Sequence, residues 1–257
     1  MIFWCALLFG AFEFVGLGGP AGAMLAGGAV PDWRHGLSLN PALADPGPGV
    51  GIAAAYCRPY GLDGLGWGQM GAHWRARALG LSLAVSSLTL GFYREENLQV
   101  CIAAMPAHGV WTGVGLHALA LEMGREGRDV VPALDVGGCC SFGRFTAGAG
   151  LSRLNVPRWR DGSELPARLV LSGAWRPVES LLLALDACRE GRDERGAFGV
   201  EFRIIPEAGL RFGVATGPLR YAGGVGARAG PVTLDYAWQF HPQLNGTHSI
   251  GLAAAWP

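Results

Sequence analysis

The stretch Val232-Thr233-Leu234-Asp235-Tyr236-Ala237-Trp238-Gln239-Phe240-His241 places an apolar residue at every even position and a small or polar one at every odd position. Successive side chains of a strand point to opposite faces, so this is a strand whose two faces meet two different solvents. The closing segment repeats the pattern, with Ile250, Leu252, Ala254 and Trp256 set against Ser249, Gly251, Ala253 and Ala255. Upstream, Phe198, Val200, Phe202 and Ile204 oppose Gly199, Glu201 and Arg203, and Leu210, Phe212 and Val214 oppose Arg211 and Gly213. Leu165, Ala167, Leu169, Leu171 and Trp175 oppose Arg168, Ser172 and Arg176. The pattern weakens from Trp111 to Leu121 and at Leu181-Leu182-Leu183, which is apolar on both faces. A barrel signal is weak in each strand and rests on repetition.

Composition sets the solvent. Of 257 residues half are hydrophobic and 16% charged, with 42 glycines; soluble domains carry about 25% charged residues. No stretch past the N-terminus reads as a spanning helix: the uncharged run Ala78 to Tyr93 is interrupted by Gly80, Ser82, Ser86, Ser87, Thr89 and Gly91. Only helices and closed barrels satisfy all backbone groups in lipid, so the sequence predicts a transmembrane barrel. A secreted soluble β-sandwich is the alternative, but its wet faces are rich in Thr, Lys, Glu and Gln. Here the non-apolar face is mainly Gly, Ala and Ser, which suits a narrow lumen. Net charge is zero and every basic residue is Arg, spread evenly, which excludes a basic stripe for nucleic acid.

Turn formers mark the connections. Short links are expected at Arg77-Ala78, Pro106 to Gly109, Gly143, Pro177, Pro206-Glu207 and Gly230-Pro231. Longer ones are expected at Arg58 to Gly64, Phe92 to Asn97, Gly124 to Asp129, Asn155 to Glu164, Arg189 to Arg195 and Pro242 to Gly246, with Gly217-Pro218 short where a long one is due. The alternation of short and long links is that of outer-membrane barrels. The sequence thus predicts an all-β, antiparallel up-and-down barrel of about fourteen strands over residues 50–257, with Tyr56, Trp74, Trp175, Tyr221, Trp238 and Trp256 at the lipid interfaces. Residues 1–23 read as an export signal, with the apolar core Ile2 to Phe9 and the small-x-small site Ala21-Gly22-Ala23, although Glu13 interrupts it and no basic residue precedes the core. Cys57, Cys101, Cys139, Cys140 and Cys188 match no metal or disulfide spacing and read as small apolar fillers.

Leu39-Asn40-Pro41-Ala42-Leu43-Ala44, preceded by Gly27-Gly28-Ala29, resembles the opening of the FadL-like outer-membrane transport proteins, specifically their PorV/PorQ-like branch. Leu234 to Ala237, His241 to Leu244 and Gly246-Thr247-His248 resemble the last hairpin of that family, and Leu134 to Gly137 and Leu165 to Arg168 resemble its strand openings. The resemblance implies a fourteen-stranded barrel with residues 24–49 as a short N-terminal plug in the lumen. The chain departs from the pattern in its short loops and in the Pro257 that follows Trp256.

The candidate plug and gating residues are Asn40, Pro41 and Ala42, with Asn40 expected to lock the segment by a hydrogen bond. Lumen-facing polar positions expected from the alternation are Arg168, Asp186, Glu201, Arg203, Arg211, Arg220, Arg228, Asp235 and His241, with Glu201, Arg203 and Arg211 able to pair across neighbouring strands. No catalytic set stands out; His241, Asp235 and Ser249 are the only nearby types for a Ser/His/acid arrangement. No cofactor or metal is implied. Two functions remain open: a passive outer-membrane conduit for small hydrophobic compounds, and a non-transporting accessory that binds a secretion or surface-attachment machine.

Overall fold

The computed structural model describes residues 11–12, 19–36, 39–44, 49–124 and 127–257. Fourteen strands follow in order: β1 (Val50–Arg58), β2 (Leu65–Ala76), β3 (Leu79–Leu90), β4 (Tyr93–Ala107), β5 (Val110–Met123), β6 (Arg128–Phe142) and β7 (Phe145–Ser152). They continue with β8 (Arg168–Val178), β9 (Leu181–Glu190), β10 (Asp193–Ile205), β11 (Ala208–Ala215), β12 (Arg220–Ala229), β13 (Val232–His241) and β14 (Asn245–Trp256). Each pairs antiparallel with its sequence neighbours, and β1 closes on β14 from Val50↔Trp256 to Arg58↔His248. Closure leaves no unpaired edge, which lipid does not tolerate.

One parity of residues points out. Ile52, Met70, Leu83, Leu116, Leu171, Leu185, Phe212 and Ile250 are all exposed, on strands spread around the ring. The six expected interfacial aromatics are exposed as well. Trp74, Trp175 and Trp256 lie toward one end, and Tyr56, Tyr221 and Trp238 toward the other. An apolar belt running right round a closed ring is incompatible with water and suits hydrocarbon. Among the described residues no helix is long and apolar enough to cross a membrane; the strands do the crossing.

At one end every connection is a two-residue turn: Arg77-Ala78, His108-Gly109, Gly143-Arg144, Glu179-Ser180, Pro206-Glu207 and Gly230-Pro231. Gly109 shows why the residue type matters, since its φ of +74° is left-handed and an added Cβ would lie 2.6 Å from the Ser141 carbonyl oxygen. Two expected positions shift. Pro106 and Pro177 fall within β4 and β8, at register slips between Ala104 and Ala107 and between Trp175 and Val178. Proline lacks an N–H and sits comfortably in a bulge, so these prolines mark bulged strand ends and not the turns themselves.

The opposite end departs further from expectation. The links expected over Phe92 to Asn97 and Arg189 to Arg195 are only Gly91-Phe92 and Gly191-Arg192. Arg94 to Asn97 and Asp193 to Arg195 are paired strand residues. β4 and β10 outrun the roughly 9–11 residues needed to cross, so their charged ends stay hydrogen-bonded beyond the apolar belt. The longest connection there is 153–167, between β7 and β8.

Candidate functional site

The inward parity is small, and the geometry gives the reason. The N-terminal stretch forms two short helices, α1 (Gly19–Met24) and α2 (Trp33–Gly36), and a 3-10 turn at Pro41–Ala44. These pieces touch inward-facing residues of strands all around the ring. A Cβ on Gly113 of β5 would lie 2.4 Å from the Pro41 carbonyl carbon, and one on Gly137 of β6 would lie 2.1 Å from Asn40 Oδ1. On β11 a Cβ at Gly213 would meet the Met24 carbonyl oxygen at 2.3 Å. Met24, Ala26, Ala29 and Val30 pack on Ala174, Leu182 and Ala184, while Ala42 and Leu43 pack on Cys139. Leu182 is therefore apolar because its inward side meets chain and not water, which accounts for the lapse in alternation at 181–183. Near Trp111 to Leu121 the cause is similar: Leu119 packs on Trp159 and Leu165 of the long loop.

One group of polar contacts to this stretch converges on Gly27-Gly28. The Gly27 and Gly28 amides donate to Asp186 Oδ2 of β9 at 2.9 and 3.2 Å. The Gly28 carbonyl accepts from Asn40 Nδ2 at 3.1 Å. Asn40 Nδ2 also reaches Cys139 Sγ at 3.4 Å and the Gly138 carbonyl at 3.5 Å, and its Oδ1 accepts from the Ala42 amide at 3.0 Å. Asn40 and Pro41 are thus buried at the meeting of two parts of the N-terminal stretch with β6. A third tie is Gln239 Nε2, which donates to the Gly22 carbonyl at 2.9 Å.

Glu201, Arg211 and Asp235 form one network across β10, β11 and β13. Arg211 donates to Glu201 at 2.8 Å and to Asp235 at 2.5 Å, and Arg203 donates to Glu201 at 3.2 Å. The network extends to two residues to which the sequence drew no attention: Arg34 bonds Asp235 at 2.7 Å and Asp32 at 2.5 Å. Burial alone would raise the Asp32 carboxyl, but Arg34 and His35 together hold it well below the usual carboxylate range. Burial pushes His35 below its ordinary value, against the pull of Asp32.

The remaining expected positions do not join this cluster. Arg168 donates to Cys188 Sγ at 3.2 Å. Tyr60 lies edge-on to the His241 ring, and His241 Nδ1 accepts from the Gln243 amide at 3.2 Å, closing the last hairpin. Arg220 lies near that same end of β12, and Arg228 at the other end of the strand. Asp235, His241 and Ser249 are not assembled into a catalytic set: Asp235 is committed to two arginines, and Ser249 donates to the Ala237 carbonyl. A second polar group was also missed. His117 contacts Asp135 at 3.1 Å and Asn97 at 3.0 Å, and Asp135 accepts from the Arg153 amide at 2.8 Å, tying the long loop to the wall. Among the described residues no group of three or more His, Cys, Asp and Glu could hold a metal ion.

Below α2, at the two-residue-turn end, lies an open cavity of about 910 Å³. Fold and belt together define a membrane-spanning barrel, with residues 19–36 and 39–44 packed against inward-facing residues of its wall. No family model matches the sequence, and no curated protein does. Solved structures do share the fold. The CymD monoaromatic hydrocarbon channel aligns with a TM-score of 0.76 at 13% identity, over 96% of this chain and 99% of that one. The Ralstonia pickettii toluene transporter TbuX aligns at 0.73 and 11%, over 96% and 100%. A Pseudomonas aeruginosa FadL homologue aligns at 0.67 and 11%, over 93% and 98%.

Proposed function

We propose that the protein is a bacterial outer-membrane barrel of FadL type and a passive conduit for small hydrophobic compounds, with residues 24–49 as a plug. The observation that carries this reading is the occupant of the lumen. It is a chain segment held by polar contacts at Gly27-Gly28 and Asn40 and by the Arg34–Asp235 ion pair, beside a wall network of Glu201, Arg211 and Asp235. A segment so held can shift and leave an apolar-walled path. The likeness to hydrocarbon channels and a toluene transporter supports the class of cargo. Export of the precursor through residues 1–23 belongs to the same proposal, and cleavage after Ala23 would remove α1 up to Met24 together with the Gly22 carbonyl that Gln239 bonds, so the plug of the exported protein is held by the contacts from Met24 onward; most of residues 1–23 lies outside the described residues.

A staple tests it. An ideal Cβ on Gly28 lies 3.2 Å from Ser172 Cβ on β8, near the ~3.5–4.5 Å of a disulfide, so Gly28→Cys with Ser172→Cys ties the segment to the wall. In a Cys139→Ser background, cells carrying the oxidised staple should take up naphthalene several-fold more slowly, by rough expectation from a blocked path, and dithiothreitol should restore the rate. Equal uptake by stapled and reduced forms would sink the lumen path. The PorV/PorQ-like opening supports the alternative of a sealed accessory; that reading expects no uptake in either form and a stable protein partner after detergent extraction.

A further inference from the structure

The long loop between β7 and β8 is fastened over the inner face of the wall. Asn155 Oδ1 accepts from the Leu134 amide at 3.0 Å, and Asn155 Nδ2 donates to the Pro132 carbonyl at 2.9 Å. The Arg160 amide donates to Asp129 at 2.8 Å, and Arg158 pairs with Glu164 across the loop. So held, Trp159 and Leu165 are buried against Leu119 of β5 and Val131 and Ala133 of β6. Two residues from the start of the chain, Ala11 and Phe12, pack into this cluster. The Phe12 ring stacks on Trp159, with centroids 6.1 Å and planes 15° apart. Its amide donates to Oε2 of the buried Glu95 of β4 at 2.9 Å, and Tyr93 donates its hydroxyl to Oε1. Ring and nitrogen are two carbons apart in phenylalanine. The socket therefore holds a phenyl group under the loop and presents a carboxylate to a nitrogen at a set distance from that group.

We propose that in the exported protein this socket, at the long-loop end, binds an arylalkylammonium ion with the skeleton of 2-phenylethylamine. Cleavage after Ala23 takes Phe12 away and leaves Trp159, Leu165, the wall residues and Glu95 in place. The ligand's ring takes the place of the Phe12 ring on Trp159. Its ammonium takes the place of the Phe12 amide, and its hydrogen bond to Glu95 is charge-assisted and so stronger than the one the neutral amide makes. A neutral hydrocarbon fills only the place of the ring, so affinity depends on the nitrogen. The proposal rests on the export reading, since cleavage empties the socket, but not on passage of cargo through the lumen; it stands or falls separately from the staple experiment.

The test is calorimetric titration of the protein purified from outer membranes in a neutral detergent, with its N-terminus read by mass spectrometry and each heat corrected for micelles alone. 2-Phenylethylamine, protonated at neutral pH, should bind about tenfold tighter than the uncharged 2-phenylethanol, ~1.4 kcal/mol. It should also bind several-fold tighter than benzylamine, whose nitrogen is one carbon nearer the ring. In Glu95→Gln the amine and the alcohol should fall within about twofold of each other, while Trp159→Ala should weaken both and Arg228→Gln at the opposite end should keep the preference. Should Glu95→Gln fail to fold, the benzylamine comparison and Trp159→Ala decide. Equal affinities for amine and alcohol, indifference to the spacing of ring and nitrogen, or a preference that survives Glu95→Gln would each overturn the proposal. A chain that still begins at Met1 would defeat the export reading alone. That chain should bind no amine until Phe12→Glu, whose carboxylate Glu95 repels, empties the socket; binding with Phe12 in place, or none in that variant, would overturn the site as well.

Discussion

If residues 24–49 are the plug proposed above, Asn40→Ala removes the side chain that joins Gly28, Ala42 and β6, and its effect can be apportioned bond by bond. The Ala42 amide bond to Oδ1 spans two residues and survives in a displaced segment, so it contributes nothing to the difference between seated and displaced states. The Nδ2 contacts to Gly28, Cys139 and Gly138 exist only when the segment is seated. At 3.4 and 3.5 Å the latter two are weak, leaving the 3.1 Å bond to the buried Gly28 carbonyl as the main loss. A buried acceptor stripped of its partner costs about 1–3 kcal/mol, which multiplies the displaced population by about 5- to 150-fold. Single-channel recording in planar bilayers reads this as open probability, with folding verified by the mobility difference between boiled and unboiled samples. Asn40→Asp retains the Oδ1 acceptor for Ala42 but loses the donor, so it should open the barrel comparably. An open probability within about twofold of wild type for Asn40→Ala, or opening by Asn40→Ala and none by Asn40→Asp, would refute the assignment to the Nδ2 donor.

Two other perturbations separate packing from charge. Gly113→Ala drives a methyl to 2.4 Å from the Pro41 backbone and should destabilise the seated segment by about 1–3 kcal/mol; Gly173→Ala, with nothing within 4 Å, should stay within about 0.5 kcal/mol. The midpoint of heat-induced mobility change on gels compares the pair. For pH, the His35 value when seated lies below the ordinary 6.5, so the displaced segment binds more protons. Seating is then fully favoured above about 6.5 and weakens as pH falls, with opening rising by at most about tenfold per pH unit. Asp32, Arg34 and Asp186 act on the ring and set the balance with burial. Conductance at about pH 5.5 should exceed that at about pH 7.5, and His35→Gln should erase the difference; a pH response unchanged in that variant would point to another group.

Much of the wall is legible in the sequence because the two faces of each strand meet unlike surroundings. β13 alternates cleanly since its outer residues meet lipid and its inner ones meet Gly22, Arg34 and Arg211. The pattern blurs where the interior is itself apolar, as at Leu182 beneath Met24. Turns at Gly230-Pro231 and Pro206-Glu207 are readable because local chemistry makes them, whereas Pro177 misleads because a bulge suits proline equally well. The interior is less legible. Asn40 stands out beside Pro41, but its partner Cys139 lies 99 positions away, and Asp32 and Arg34 carry no local signature of their tie to Asp235. The inward charges at 201, 203 and 211 and their pairing with one another are visible from parity; the onward ties to Asp235 and Arg34 are not, since side-chain alternation gives direction and says nothing of what fills the space.

The seam between β1 and β14 joins Val50 to Trp256, the first strand residue to the last, and residues 19–36 and 39–44 pack against inward-facing residues of the ring. The wall therefore has to be wrapped around its own beginning. Trp33 touches Ala84 of β3 and Ala253 of β14, so a core contact is completed only when the final strand arrives. Until then the growing sheet is an open trough with the N-terminal stretch as its former, and its two free edges remain unpaired. Joining ends so far apart along the chain carries a loop-closure cost and makes for slow folding. Contacts of the N-terminal stretch with β9 through Asp186 and with β6 through Asn40 do not need the seam, so they are free to form before the edges meet.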